Sequence, residues 1–149
     1  MHLSQEQIDL IRKSFADMMP MDPAVPGHLY ARLFELAPEA RGLFHAGVDR
    51  QGAMFMEALG VIVGGLYDIE TLQEMVRTLA HRHVAYGVKA EYYPHLCQAL
   101  VDTLAHALGD RFDAETRAAW SAAITLISTT MLVAAYPDDH TDADLSWAS

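Results

Sequence analysis

Residues 68–87, DIETLQEMVRTLAHRHVAYG, contain the pattern that decides the fold of this 149-residue chain. Leu72, Val76 and Leu79 recur at steps of four and three, as on the inward face of an amphipathic helix. The next position on that face is His83, where the pattern calls for an apolar side chain. A buried imidazole needs partners for two ring nitrogens, or one nitrogen must hold a metal. Taken alone, such a residue is by default a hydrogen-bonded core histidine.

The other long segments share this helical period, and no alternating strand pattern is present. Caps and breaks set the expected boundaries, such as the capping box of Ser4 with Gln7 and the terminators Gly87 and Gly109. We predict an all-α fold of six to seven helices, either a plain bundle or helices packed around a pocket. The expected helices span about 4–19, from after Pro26 to 37, 51–67, 68–86, 90–108 and 113–135, with a helical turn over 38–44.

Length and composition favour one domain, residues 1–136, followed by an acidic, flexible tail, residues 137–149. A net charge of −10 with ten dispersed Lys and Arg argues against nucleic acid and anionic membranes as partners. No apolar run is expected to span a bilayer, and no secretory signal is visible. The single Cys97, expected as a buried thiol, excludes an internal disulfide. We therefore expect a cytoplasmic protein.

Two further helices place a polar side chain on an apolar face. Gln51 begins the stripe that continues to Phe55, and Tyr30 shares a face with Leu33 and Phe34. Burying an amide or hydroxyl without a partner costs about 1–3 kcal/mol. Two interpretations stay open at this point: a self-satisfied network of Tyr, Gln and His, or a cavity that holds something polar or a metal.

Several landmarks occur in a fixed order along the chain: PEARGLF at 38–44, QG at 51–52 followed by Phe55, HRHVAYGVK at 81–89 followed by Tyr93-Pro94, and Trp120. This set resembles the globin family over nearly the whole chain. It is most similar to single-domain bacterial haemoglobins and to the haem domain of flavohaemoglobins. The resemblance implies a globin fold around a haem pocket, with no separate small helix between the Phe44 turn and the helix of Gln51.

By this resemblance, His83 is the proximal ligand of the iron of haem b, iron protoporphyrin IX. Tyr30 and Gln51 are the distal residues that contact the bound gas. Arg82 would reach a haem propionate, and Tyr93 would contact the region of the proximal histidine. The implied apolar walls of the pocket are Phe34, Phe44, Phe55, Leu79, Val88 and Leu96.

The implied function is high-affinity binding of O2, with NO and CO as further ligands. The alternative is an enzyme, a nitric oxide dioxygenase served by an external reductase. Flavohaemoglobins have a glutamate in the last helix where counting from Trp120 places Ala135, which puts rapid turnover in doubt. A haem-based gas sensor and a globin that has lost haem are the remaining alternatives.

Overall fold

The computed structural model describes residues 3–19, 22, 24–43, 48–85 and 87–136. Within these ranges it contains only helices, which confirms the predicted all-α class. The α-helices are α1 (Gln5–Asp17), α2 (Ala24–Leu36), α3 (Val48–Gly64), α4 (Ile69–Ala85), α5 (Tyr92–Leu108) and α6 (Ala114–Ala135), and 3-10 helices span Pro38–Leu43 and Gly109–Arg111.

The predicted helix ends are mostly confirmed. Ser4 and Gln7 form the reciprocal capping box of α1, and the Asp113 carboxylate accepts from the Thr116 N–H at 2.8 Å at the start of α6. Gly109 ends α5 with φ +57°, a conformation that favours glycine. Two predicted starts are wrong. The second helix was expected after Pro26, but α2 begins at Ala24, because proline in the first turn of a helix removes only an N–H that has no partner within the helix. The third was expected over 51–67, but α3 spans Val48–Gly64, since nothing between Val48 and Gln51 breaks a helix.

Two predictions fall on parts of the chain outside the described residues. One is the acidic tail 137–149. The other is the absence of a small helix next to Phe44, because residues 44–47 are not described.

The core forms where α2 packs on α5, and α6 packs on both α1 and α4. Trp120 of α6 is 1% exposed, and its indole N–H donates to the Ser14 hydroxyl at 2.8 Å. That hydroxyl in turn donates to the carbonyl oxygen of Leu10 at 2.7 Å. A buried polar pair between α1 and α6 is thereby satisfied without water.

One composition-based expectation needs correction. No apolar run was expected to be long enough to span a bilayer. By length and composition alone, α6 is long and apolar enough to do so. The core helix of a compact domain passes the same test, so this finding is weak evidence. In the fold, Ala119, Trp120 and Ala123 of α6 are buried.

The contact between α2 and α3 depends on a glycine. A β-carbon on Gly52 would lie 2.6 Å from the β-carbon of Pro26 and 3.5 Å from the ring of Tyr30. The two backbones therefore approach more closely than any larger residue would allow. This crossing positions the start of α3 beside Tyr30.

A polar seam joins α2 to α5 on another side. The Arg32 guanidinium pairs with the Asp102 carboxylate at 2.8 Å. One turn earlier on α2, the His28 ring lies 3.2 Å from the Thr103 hydroxyl and stacks on the ring of His106, with centroids 4.4 Å apart.

Replacing Ser14 with Ala should leave the buried indole N–H of Trp120 without its acceptor. We expect the free energy of unfolding to fall by about 1–3 kcal/mol, measured by urea denaturation followed by circular dichroism. The matched control is Thr78→Ala, which removes a hydroxyl bonded to the Glu74 carbonyl at 3.3 Å on an exposed helix face. Its effect should stay within about 0.5 kcal/mol. Equal losses in the two variants would contradict this account of the core.

Replacing Gly52 with Ala should force α2 and α3 apart, because the rigid Pro26 ring cannot move aside. Overpacking of this kind typically costs about 1–3 kcal/mol. Gly64→Ala in the same helix is the control, since a β-carbon there meets nothing within 4 Å. We expect that variant to be neutral or more stable by up to about 1 kcal/mol in the same denaturation experiment. A fully stable Gly52→Ala protein would show that the crossing is looser than described.

Candidate functional site

His83 lies in the last turn of α4 and is half-buried. Its Nδ1 atom lies 2.8 Å from the carbonyl oxygen of Leu79, one turn earlier on the same helix. Because a carbonyl only accepts, Nδ1 carries the proton and donates. The lone pair of the neutral ring then lies on Nε2, the form in which histidine binds a metal. His81 is exposed, as its place off the apolar stripe predicts.

The chain after His83 forms a complete helix cap. The Val88 N–H donates to the His83 carbonyl at 3.0 Å, and the Gly87 N–H donates to the Val84 carbonyl at 3.0 Å. Gly87 has φ +89°, the left-handed conformation that this pair of hydrogen bonds requires. These features are those of a Schellman motif, in which His83 provides the third carbonyl from the helix end.

Tyr93, at the start of α5, buries its hydroxyl. This hydroxyl has no hydrogen-bond partner among the residues that the structure describes, and the side chain is 6% exposed. Burial, with smaller contributions from Tyr136 and Cys97, raises the pKa of Tyr93 well above its usual range, so the phenol stays protonated. The ring of Tyr136 packs edge-on against Tyr93, with centroids 6.3 Å apart. A buried donor in this state fits a site that is completed by a bound group.

Tyr30 and Gln51 are brought together by the α2–α3 crossing. The Tyr30 hydroxyl donates to the main-chain carbonyl oxygen of Gln51 at 3.2 Å, longer than the usual 2.7–2.8 Å for such a bond. Burial raises the pKa of Tyr30 to about 12, so this phenol is a hydrogen-bond donor at neutral pH. Gln51 itself is half-buried. The two predicted distal residues are therefore neighbours in the fold.

The predicted walls of the pocket differ in burial. Four of them are half-buried and pack against the core from four different segments: Phe55, Leu79, Val88 and Leu96. Phe34 is buried, with the Arg41 guanidinium 4.5 Å from its ring centroid. Arg82 is exposed, and Phe44 lies outside the described residues. The roles of all these residues toward haem stay predictions.

Cys97 is buried, as expected from its apolar surroundings. Burial raises the pKa of the Cys97 thiol to about 12, so the thiol is protonated and inert at neutral pH.

The described residues fit haem better than a free metal ion. No group of three or more His, Cys, Asp or Glu side chains that could hold an ion occurs in the described ranges. A single imidazole in the Nδ1–H tautomer suits a metal that arrives with most of its ligands, as iron does in a porphyrin. The half-buried apolar side chains and the unsatisfied Tyr93 hydroxyl suit a flat, largely apolar group.

Two residues that contact the turn after α4 were not predicted from the sequence. Tyr136, the residue that follows α6, donates its hydroxyl to the carbonyl oxygen of Val88. Leu43 lies 3.5 Å from where a β-carbon on Gly87 would be, so the 3-10 helix ends beside the cap of α4. The sequence did carry a signal for the contact of Tyr136, since an aromatic residue with a polar hydroxyl stands just before the helix-stopping Pro137. Nothing local in the sequence singles out Leu43.

Curated relatives of this chain include several flavohemoproteins. The protein of Chromobacterium violaceum is 27% identical over 98% of this chain and 37% of its own length. That of Vibrio cholerae is 28% identical over 81% of this chain and 32% of its own. That of Bordetella pertussis is 30% identical over 81% of this chain and 31% of its own. The chain thus spans about a third of the length of the curated relatives that it matches.

A similar solved structure is an engineered carbene transferase based on a candidate nitric oxide dioxygenase from Rhodothermus marinus. It superposes with a TM-score of 0.79 at 25% sequence identity, covering 91% of this chain and 94% of that chain. The globin family model matches residues 27–131, which include the helices that carry Tyr30, Gln51, His83 and Tyr93. Together with the all-helical fold, this match shows that the chain belongs to the globin family.

Proposed function

We propose that this globin binds haem b through Nε2 of His83 and binds O2 with high affinity. The observation that carries the proposal is the 2.8 Å contact between His83 Nδ1 and the Leu79 carbonyl, because it leaves the lone pair of the neutral ring on Nε2, the form in which histidine binds a metal. When bound, haem supplies an iron atom that takes O2, CO or NO as a ligand. Family membership and the flavohemoprotein relatives support haem binding.

The same proposal assigns residues to the apolar faces of the haem and to its propionates. Phe34, Phe44, Phe55, Leu79, Val88 and Leu96 would enclose the apolar faces of the group, and they would exclude water. The exposed Arg82 guanidinium would pair with a propionate. Tyr93 would direct its hydroxyl toward the proximal side. We also propose residues 1–136 as the globin domain and the cytoplasm as its location.

The distal pair supports high affinity. The Tyr30 hydroxyl forms a long bond of 3.2 Å to the Gln51 carbonyl. A ligand with partial negative charge is a better acceptor, so the hydroxyl gains by turning toward it. The Gln51 carboxamide offers a second donor from the adjacent helix. Two such donors would slow ligand escape by tenfold or more, at about 1.4 kcal/mol for each factor of ten.

Nitric oxide dioxygenase activity is the second candidate. It is favoured by the flavohemoprotein relatives and by the Rhodothermus marinus neighbour. The reaction joins NO and O2 into nitrate with one electron, which an external reductase would supply. Ala135 offers no carboxylate to the proximal side, so fast turnover is the less favoured outcome. Mixing the oxygenated protein with NO and a reductase separates the two functions: repeated nitrate formation indicates the enzyme, and one stoichiometric burst indicates the binding protein.

Replacing His83 with Gly should remove the histidine-ligated haem spectrum in the ferric, ferrous and CO-bound forms. Added imidazole should restore it by filling the space left by the side chain. The control is His81→Gly, two residues away on the exposed face of the same helix, which should keep the wild-type spectrum. An unchanged spectrum in the His83→Gly protein would assign the ligand to another residue.

Replacing Tyr30 with Phe keeps the ring and removes the donor to the bound gas. A net hydrogen bond contributes about 1 kcal/mol, so O2 dissociation should become about fivefold faster in stopped-flow measurements. CO is the internal control, because it carries little charge and its dissociation rate should change much less. Equal changes for both gases would indicate a steric effect in place of a lost hydrogen bond.

A further inference from the structure

We propose that the C-terminal tail, residues 137–149, returns to a groove between α4 and α6 and covers it. The groove has a volume of about 260 Å³ and is lined by Arg77 of α4 and by Leu126, Thr129, Thr130, Val133 and Ala134 of α6. This lining is mostly apolar, and Val133 is 44% exposed. Apolar side chains of this kind gain free energy when a partner removes them from water. The inference does not depend on haem binding.

The tail leaves the helices beside this groove. Tyr136 comes two residues after Ala134 of the groove and is followed by a proline, which disfavours the helical conformation in the residue before it. Tyr136 accordingly has left the helix, with ψ +66°. The stretch of α6 that lines the groove, 126–134, is about 12 Å long at the rise of an α-helix. The 13 residues of the tail can extend about 40 Å, so its end can reach every part of the groove after a reversal of direction.

The groove and the tail have opposite charges. Residues 75–90 and 116–136, which include the groove, contain none of the 20 acidic residues of the chain. Residues 75–90 carry three Lys and Arg, and Arg77 among them forms no ion pair with a carboxylate of the described residues. The tail carries four aspartates, at positions 138, 139, 142 and 144. A chain with a net charge of −10 repels such a segment over most of its surface, whereas this groove attracts it.

Two large apolar residues near the end of the tail provide the contact with the groove. Leu145 and Trp147 follow the last aspartate and are separated by one serine. The acidic residues before them act as a flexible tether, which gives the apolar pair an effective concentration in the millimolar range. A contact that would be weak between separate molecules is therefore well populated within one chain. For the same reason the chain's own tail outcompetes a second copy at ordinary protein concentrations.

Cysteine alkylation of the full chain tests whether the groove is covered. Cys97 is buried and its thiol is protonated, so a cysteine introduced on the surface is the reactive one. In Val133→Cys, iodoacetamide should react slowly with the new thiol. Adding Trp147→Ser should make the reaction about fivefold faster, as expected if the tail covers the groove for about four-fifths of the time. Trp147→Ser changes no charge, so the acidity of the thiol stays the same.

The matched control is Val61→Cys. Val61 is 55% exposed on α3, a helix that does not line the groove. Trp147→Ser should leave its alkylation rate unchanged. Equal rates at position 133 with and without Trp147 would overturn the inference. Equal acceleration at positions 61 and 133 would indicate a general loosening of the fold and would overturn it as well.

The role of Arg77 is tested in the Val133→Cys protein. Raising the salt concentration should speed alkylation, because salt screens the attraction between Arg77 and the aspartates of the tail. Arg77→Gln should give the faster rate already at low salt and should remove most of the salt response. A salt response that persists in Arg77→Gln would contradict this part of the inference.

Dilution distinguishes the chain's own tail from other occupants. Binding within one chain does not depend on protein concentration, so the alkylation rate of Val133→Cys should stay constant when the protein is diluted. A rate that rises on dilution would show that a second copy covers the groove, and the inference would be wrong.

Discussion

A hydrogen bond of 2.8 Å from His83 Nδ1 to the Leu79 carbonyl determines which ring nitrogen carries the proton. The bond spans one turn of α4, so the helix itself supplies the acceptor and no second element has to be in place. It also restrains ring rotation, because turning the imidazole would leave a polar N–H unpaired in a half-buried position. The cap formed by Gly87 and Val88 follows this helix turn directly.

Close helix contacts bring these features together. Gly52 allows α3 to touch Pro26 of α2, and the same contact places Tyr30 beside Gln51. On the opposite side, Gly87 turns the chain so that Val88 can reach back to His83. Gly52 permits a close backbone approach that a β-carbon would block, and Gly87 permits the positive φ that the helix cap requires. A polar contact depends on each of them.

Much of the fold could be predicted from the sequence because helical period and caps are local signals. The apolar stripe from Leu72 to His83, the capping box at Ser4 and the stop at Gly109 each depend on residues within a few positions. The pairing of Tyr30 with Gln51 was predicted only as a shared interior, and the fold assigned the bond to a main-chain carbonyl. Tyr136 was missed because its acceptor, on Val88, lies 48 residues away and is a backbone atom. No side-chain pattern encodes such a partner.

The seam between α2 and α5 differs in kind from the glycine crossing on the other edge of α2. Arg32 and Asp102 have partly exposed side chains, at 35% and 28%, and the stacked His28 and His106 rings lie nearby. Salt screens such a pair, whereas the van der Waals contact between Pro26 and Gly52 does not depend on ionic strength. The attachment of α2 to α5 is thus sensitive to salt, and its attachment to α3 is not. High salt would weaken the first contact and leave Tyr30 held beside Gln51 by the second.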